Sequence, residues 1–394
     1  MYKLPVYKKI KARLEEPRRF IQVIMGPRQV GKSTVVKQVL NDIAIPYKFY
    51  AADNVPDFNS NWIIQCWESV RLLAEHSDSE YILVIDEIQK IKNWSECVKK
   101  LWDEDTFFDR RIKVILLGSS RILLQKGLSE SLAGRFEEIR MAQWSFTEIY
   151  DCFGISLKEY LFYGGYPGAI PFIKDSERFD EYVMSSIVEA TINRDILNDV
   201  QINKPALLRQ TFELACAYSG NILSYTKMIG QLQDAGNTTT LSQYLHLLQE
   251  SCLVTGLQKY SCDKARAKGS IPKFQVYDNS FKEIYSSHSF EEAVLKPEIW
   301  GHIFESAVGA YIVQQAFINR FEVFYWRDRD LEVDFILKKK DKVVALEVKS
   351  NKVNKSYGLE EFRKRFNPHK AIIIGEGGMS IEEFFSLQIN SLFK

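Results

Sequence analysis

The sequence predicts an α/β protein that begins with a parallel β-sheet and contains more than one domain. Four strand-like segments alternate with helical patterns in the first third of the chain, as in repeated βαβ units. The 394 residues exceed the roughly 250 to 300 that a single hydrophobic core holds, so two or three domains are expected. A content of 46% hydrophobic and 26% charged residues is typical of a soluble globular protein.

The first strand-like segment, FIQVIM, leads into the loop GPRQVGKST, and the helical pattern VVKQVL follows. The loop fits G-x-x-x-x-G-K-[ST], in which glycines let backbone N–H groups turn toward phosphates and the helix N-terminus adds positive potential. Lys32 is expected to reach the β- and γ-phosphates, and the Ser33 hydroxyl to ligate Mg²⁺. The predicted nucleotide-binding residues of this loop are Gly26, Pro27, Arg28, Gln29, Val30, Gly31, Lys32, Ser33 and Thr34.

Two later strands end in polar residues that suit the same site. YILVIDEIQ at residues 81–89 is an apolar run that ends in Asp86 and Glu87. Asp86 is expected to hold Mg²⁺, and Glu87 to orient and deprotonate the attacking water. KVILLGSS ends in Ser119 and Ser120, either of which suits a γ-phosphate sensor lying between the first two motifs. The motifs therefore predict ATP and Mg²⁺ as cofactors.

An arginine from a neighbouring subunit often stabilises the charge on a transferring phosphoryl group. Arg135 follows Gly134 in a segment that leads to another strand-like piece, and it is the preferred candidate. Arg121 and Arg194 are the alternatives. Such an arginine finger, supplied by a second copy of the chain, requires a homo-oligomer.

The segments GPRQVGKST, VIDEIQ, LLGSS, LAGRFEEIRMAQWSFTEI and YGGYPGAI together resemble a prokaryotic AAA+ family whose ATPase module is fused to a C-terminal domain of unknown function. The likeness covers nearly the whole chain, and it implies an ATPase with a P-loop AAA+ core and an additional strand in its parallel sheet. It also relates GGYP at residues 164–167 to the Gly-x-Pro element of signalling ATPases. From the residues alone, that stretch is a turn that could be a hinge between core and lid.

The middle of the chain is predicted to be helical. Residues 151–202 suit a helical lid or connector, and three helical patterns with a hairpin at residues 203–280 predict a winged helix. The candidates for base contacts are Thr239, Ser242, Gln243 and His246, and those for phosphate contacts are Lys264, Arg266 and Lys268. The recognition helix lacks Arg and Lys, so both DNA contact and intramolecular packing remain open for this domain.

The C-terminal region, residues 281–394, contains a helical pattern with Glu305 followed by alternating strands with Asp334, Glu347 and Lys349. Three carboxylates and a lysine suit Mg²⁺-dependent phosphodiester hydrolysis, with Glu305, Asp334 and Glu347 as metal ligands. This order resembles the PD-(D/E)xK restriction-endonuclease-like fold over roughly residues 300–375, although Val333 replaces the proline. The alternative is a half-exposed hairpin with a charged face.

Two functional hypotheses follow from these four regions, 1–150, 151–202, 203–280 and 281–394. In the first, an ATPase controls a C-terminal Mg²⁺-dependent DNA nuclease. In the second, a nucleotide-controlled switch binds DNA or protein without cutting it. The net charge of +1, the six scattered cysteines and the absence of a signal-peptide pattern or a long apolar run predict a cytoplasmic protein with no membrane partner.

Overall fold

The computed structural model of this protein forms two compact units, Met1–Met141 and Ala142–Lys394. The structure describes residues 2–56, 59–77, 79–119, 124, 127–129, 131–198, 200–232, 237–261, 270–350 and 356–394. The predicted residues Ser120, Arg121, Lys264, Arg266 and Lys268 lie outside this described part.

The N-terminal unit is built on a five-stranded sheet in which every pairing is parallel. Its strands are β1 (Ile21–Met25), β2 (Tyr47–Ala51), β3 (Tyr81–Asp86), β4 (Ile112–Gly118) and β5 (Phe136–Arg140), in the order β2-β3-β4-β1-β5. Its helices are Val6–Glu15, Lys32–Asn41, Ser60–Ser77 and Trp94–Phe107, with a 3₁₀ turn at Ile88–Lys90. The predicted α/β class with a parallel sheet is confirmed.

The three central strands of this sheet are buried, as their apolar sequences predict. Met25 pairs with Gly118, and Ile85 pairs with Leu116, so β1, β3 and β4 end at the same edge. The loops that follow these strands therefore meet there. This arrangement positions the candidate site.

At the start of the helix Trp94–Phe107, the sequence pattern offers Ser95 as a possible N-cap, but the structure places a different residue there. Asn93 occupies the cap position in a left-handed conformation with φ of 58°. Ser95 lies in the first turn, where it is buried and its hydroxyl donates to Ser131 Oγ at 3.3 Å. Ser95 is therefore not the cap, because it lies inside the helix, where both Ser95 and Trp94 are buried.

The C-terminal unit contains helices along its whole length. They are Phe146–Phe153, Leu157–Tyr163, Ser176–Glu181, Pro205–Ala217, Tyr225–Ile229, Thr238–Glu250, Ser280–Glu283, Phe290–Leu295, Pro297–Asn319, Tyr357–Phe366 and Ile381–Ser386. Two π-helical segments, Tyr182–Glu189 and Ile192–Leu197, lie within residues 151–202, which are predicted to be helical, and 3₁₀ turns lie at Ile170–Phe172 and Ile389–Phe393. Over the described residues of both units, no helix has the length and apolar character that crossing a bilayer requires.

The sheet of the C-terminal unit has six strands. They are β6 (Val254–Lys259), β7 (Lys273–Val276), β8 (Glu322–Asp328), β9 (Leu331–Lys339), β10 (Lys342–Lys349) and β11 (Lys370–Gly375), in the order β11-β10-β9-β8-β6-β7. The hairpin β6-β7 joins this sheet because Gln258 and Lys259 of β6 pair with Phe324 and Tyr325 of β8. The elements of the predicted winged helix therefore share a sheet with the C-terminal strands, and the winged helix and the four-region division stay predictions.

A buried carboxyl lies in the helical part of this unit. Glu283, at the end of the helix Ser280–Glu283, is 7% exposed. Burial raises the pKa of Glu283 from its ordinary value of 4.5 to about 7, although Lys282 and Ser286 lower it. The folded chain therefore keeps a proton on Glu283 that the unfolded chain loses at lower pH.

Replacing Glu283 by glutamine should change how stability depends on pH. Between about pH 4.5 and pH 7 the folded wild-type chain binds more protons than the unfolded chain, so Glu283 makes the free energy of unfolding fall as pH rises. Glu283→Gln removes that contribution, and urea unfolding at several pH values measures it. Glu291→Gln, an exposed change, is the control. Identical pH slopes for Glu283→Gln and wild type would contradict the assignment.

Candidate functional site

Two glycines shape the loop that follows β1. A Cβ atom on Gly26 would lie 2.1 Å from the carbonyl oxygen of Met141, so only glycine fits there. Gly31 caps the helix Lys32–Asn41 with φ of 87°, a conformation that favours glycine, and a Cβ on Gly31 would meet no atom within 4 Å. The loop thus packs against Met141, the residue after β5, at its first glycine and is open at its second glycine. An open loop at a helix N-terminus suits an anion.

The functional side chains of the loop lie at the first turn of this helix. The Lys32 ammonium is buried and donates to the carbonyl oxygens of Gly26 at 2.9 Å and Pro27 at 2.7 Å. The Ser33 hydroxyl donates to Asp86 Oδ2 at 2.6 Å. The structure therefore brings Ser33 and Asp86, predicted from distant motifs to share Mg²⁺, into direct contact.

The other loop residues differ in exposure. Val30 is fully buried and anchors the loop, whereas Gln29 and Thr34 are exposed and Arg28 is half-buried. Gln29 has a positive φ of 61°, so the turn of the loop is tight at this residue.

The two acids after β3 have different surroundings. Burial raises the pKa of Asp86 above its ordinary range, the Ser33 hydrogen bond lowers it, the charge of Glu87 raises it and that of Lys32 lowers it. Glu87 has φ of 54°, an unfavourable conformation for a residue with a side chain, and its N–H donates to Asp86 Oδ1 at 3.0 Å. Strained backbone of this kind is common at functional sites.

Two side chains hold the Glu87 carboxylate. Ser119, at the end of β4, donates its hydroxyl to Glu87 Oε2 at 3.0 Å, and Gln89 donates its side-chain amide to the same oxygen at 2.7 Å. Ser119 is predicted from the sequence, whereas Gln89 is not. A polar side chain two residues after Glu87 was the available signal, yet its direction depends on the 3₁₀ turn Ile88–Lys90.

Arg135, the predicted finger, forms an ion pair within its own unit. Its Nε and Nη2 donate to the two carboxylate oxygens of Asp103 at 2.7 and 2.9 Å. The alternative Arg194 is exposed on the π-helical segment Ile192–Leu197. The role of finger stays a prediction for both residues.

In the C-terminal unit, the four predicted residues lie in one charged cluster. Lys349 Nζ lies 2.7 Å from Glu347 Oε1, and the charge of Asp334 contributes to a raised pKa of Glu347, after the larger effect of burial. Asp334 Oδ2 accepts from the N–H of Val348 at 2.8 Å. Glu305, on the helix Pro297–Asn319, joins the cluster through a residue that the sequence analysis did not select.

That residue is Lys273, the first residue of β7. Its ammonium lies 2.8 Å from Glu305 Oε1, 3.4 Å from Glu332 Oε1 and 3.5 Å from Asp334 Oδ1. The cluster, named the acidic cluster below, contains Lys273, Glu305, Glu332, Asp334, Glu347 and Lys349. Lys273 and Gln275 are two residues apart on a strand, so the pattern alone predicts a polar, solvated face for both, whereas both are buried.

The two sites differ in how well they suit Mg²⁺. At the loop of residues 26–34, named the glycine loop below, Ser33 and Asp86 fit a shared cation. At the acidic cluster, the buried ammonium of Lys273 contacts three carboxylates, so the side chains do not fit a divalent cation at that position. Across the residues that the structure describes, no group of three or more His, Cys, Asp and Glu side chains is arranged to hold a metal ion.

Since β4 lies between β1 and β3, the N-terminal unit has the additional-strand arrangement expected of an AAA-type ATPase domain. Residues 18–150 match the family model of an AAA domain. Residues 155–285 and 300–389 match two domains of unknown function, DUF8612 and DUF4143. The predicted combination of an AAA+ module with a C-terminal domain of unknown function is confirmed, and the nuclease-like core stays a prediction.

Two relatives align with most of the chain. A protein of Haemophilus influenzae described as uncharacterized is 24% identical over 350 residues, which cover 84% of this chain and 82% of that protein. The uncharacterized protein MJ1544 of Methanocaldococcus jannaschii is 22% identical over 370 residues, which cover 87% of this chain and 78% of that protein.

Two solved structures are also similar. One, of AMPPCP-bound DnaA from Aquifex aeolicus, is 13% identical with a TM-score of 0.33, and the match covers 63% of this chain and 90% of that chain. The other, from work on katanin self-assembly, is 17% identical with a TM-score of 0.26, and the match covers 41% of this chain and half (50%) of that chain.

Proposed function

We propose that this protein binds and hydrolyses ATP at the glycine loop and that its nucleotide state controls what the C-terminal unit binds. The observation that supports the proposal most strongly is the direct contact of Ser33 with Asp86, at 2.6 Å. Beside this pair, Glu87 is held by two hydrogen bonds in a position next to Asp86. The site thus combines a phosphate loop, a cation-binding pair and an oriented base.

Each residue of the candidate site has a defined task in this proposal. The loop from Gly26 to Thr34 surrounds the phosphates, and Lys32 exchanges its two loop carbonyls for phosphate oxygens. Ser33 and Asp86 hold Mg²⁺, which supplies positive charge to the phosphates when it is bound. Glu87 accepts the proton of the attacking water. Ser119 and Gln89 keep the Glu87 carboxylate oriented, and Ser119 is also the proposed γ-phosphate sensor.

For the C-terminal unit we propose binding of DNA without cleavage, with a protein ligand as the other outcome. The four residues selected for base contacts, Thr239, Ser242, Gln243 and His246, are all exposed on the helix Thr238–Glu250. The opposite face of this helix is buried and packs on the helix Pro205–Ala217 and on β6. A helix with one anchored face and one polar face is suited to a DNA groove.

Substitutions of Lys32 and Glu87 separate binding from turnover. Lys32→Ala should weaken ATP binding about 10-fold to 100-fold, because a charge-assisted contact to phosphate is lost. Glu87→Gln should keep ATP binding and lower turnover by about 100-fold or more. Fluorescent-nucleotide titration and phosphate release measure the two effects. Lys37→Ala, an exposed change on the same helix, is the control, and full turnover by Glu87→Gln would exclude its role as base.

Arg135 can be tested against its ion-pair partner. If Arg135 acts in trans, Arg135→Ala should lower ATP turnover by about 1,000-fold. Asp103→Ala removes the same ion pair but keeps the arginine, so it should retain turnover. Sedimentation with a non-hydrolysable ATP analogue should show oligomers. Equal losses in the two variants, or a monomer in every nucleotide state, would assign Arg135 a structural role.

Labelled DNA tests the C-terminal proposal. The protein should raise the anisotropy of duplex DNA, and Gln243→Glu should weaken this binding about 10-fold because it adds negative charge to the exposed helix face. Gln201→Glu, an exposed change outside that helix, should have little effect. The DNA should stay intact with ATP and Mg²⁺. Cleavage that requires Mg²⁺ and disappears in Lys349→Ala would instead establish the nuclease.

A further inference from the structure

The ammonium of Lys273 occupies the centre of three carboxylates. It lies within 3.5 Å of oxygens on Glu305, Glu332 and Asp334, which come from a helix and from β9. The Lys273 side chain is fully buried, at 0% exposure. The position that bridges these carboxylates is therefore filled by a positive group of the chain itself.

The position of Lys273 is fixed by its backbone and by its stem. Lys273 pairs with Leu257 of β6 and forms a bridge with Ile222, so its Cα is held from both sides. Its ammonium lies 5.2 Å from the centre of the Phe335 ring, which covers one side. The strand pairing therefore holds the Lys273 backbone, and the Phe335 ring limits the space on one side of the ammonium.

The charge of Lys273 is balanced inside the cluster. Its side chain is fully buried, and carboxylate oxygens of Glu305, Glu332 and Asp334 lie within 3.5 Å of the ammonium. A buried ammonium that lost these partners would be very costly. The carboxylates and the ammonium thus depend on one another.

Two further carboxylate oxygens of the cluster are also engaged, whereas Glu347 Oε2 is buried without a hydrogen-bond partner among the described residues. Asp334 uses its second oxygen to accept from the N–H of Val348, and Glu347 pairs with Lys349. A divalent cation needs several carboxylate or carbonyl oxygens at once. The three oxygens that converge most closely are those already shared by Lys273.

We propose that Lys273 is an internal counter-ion that takes the place of a divalent metal ion in the acidic cluster, so that this cluster binds no Mg²⁺ in the folded chain. The proposal is independent of ATP binding, which involves only the N-terminal unit. It explains how side chains in the order of a metal-dependent nuclease can form a stable site that does not cut. Through its ion pairs, Lys273 links its own strand, β7, to the helix Pro297–Asn319 and to β9.

Manganese titration of the full chain without nucleotide tests the proposal directly. Electron paramagnetic resonance measures free Mn²⁺, and the wild-type protein is compared with Glu305→Gln and Asp334→Asn. The expected result is the same Mn²⁺ binding in all three proteins, any residual binding being lost in Asp86→Asn. A wild-type site that disappears in Glu305→Gln and Asp334→Asn would overturn the proposal.

A second variant should create the site that Lys273 prevents. Lys273→Met keeps the length of the side chain and removes its charge, so the three carboxylates should bind Mn²⁺ at least about 10-fold more tightly than wild type. Lys273→Arg keeps the charge and should show no gain. The gain should disappear in the double variant Lys273→Met/Glu305→Gln. Soluble Lys273→Met without any gain would contradict the proposal.

Folding of Lys273→Met provides the remaining measurement. If unpaired carboxylates destabilise this variant, Mn²⁺ should raise its melting temperature and leave that of Lys273→Arg unchanged. If the variant does not fold at any Mn²⁺ concentration, Mn²⁺ binding by wild type, Glu305→Gln and Asp334→Asn tests the proposal instead. ATP binding in the same samples monitors the N-terminal unit, so a failure of the ATPase proposal is distinguishable.

Discussion

The parallel pairing of β4 between β1 and β3 is the constraint on which the candidate nucleotide site depends. It places Gly118 beside Gln89, and a Cβ on Gly118 would lie 2.3 Å from Gln89 Oε1. Because Gly118 has no side chain, Gln89 can pack against β4 and donate to Glu87. Ser119, the next residue, reaches the same carboxylate. The orientation of Glu87, the candidate base, is thus set by the strand register and by the lack of a side chain on Gly118.

The two units use carboxylates in opposite ways. Asp86 is buried beside a neutral hydroxyl, and the positive charge of Lys32 is shared with loop carbonyls. This arrangement leaves the carboxylate available for an external cation. In the acidic cluster, Glu305 and Asp334 face a permanent ammonium on their own chain. The same residue types therefore indicate an open site in one unit and an internally neutralised one in the other.

The parts of the fold that the sequence predicts well are those set by local pattern. The glycine loop, the buried strands β1, β3 and β4, and the position of Asp86 and Glu87 where β3 ends all follow from short segments, because their burial and turn chemistry are local. Asn93 as a helix cap is not predicted, since a polar side chain does not reveal a left-handed backbone. Predicting the helix start at Trp94 required knowing which face of the chain enters the core.

The parts that the sequence does not predict depend on distant segments. The β6–β8 pairing involves two residue pairs between strands that are far apart in the chain, and no pattern in either strand specifies it. Lys273 has the spacing of a solvated strand residue, but it is buried, and its partners Glu305 and Glu332 come from other elements. Periodicity identifies the strand, whereas the charge balance of the cluster exists only in the assembled unit.

The continuous six-stranded sheet limits how this chain can be divided. A fragment that began at residue 281 would retain β8 through β11 but would lose the hairpin β6-β7, whose strand β6 pairs with the outer edge of β8. The uncovered hydrogen-bonding groups of β8 would be available to pair with another molecule. Glu305, Glu332 and Asp334 would also repel one another without their cation. The minimal folding unit of the C-terminal half therefore includes the hairpin, and shorter pieces would tend to aggregate.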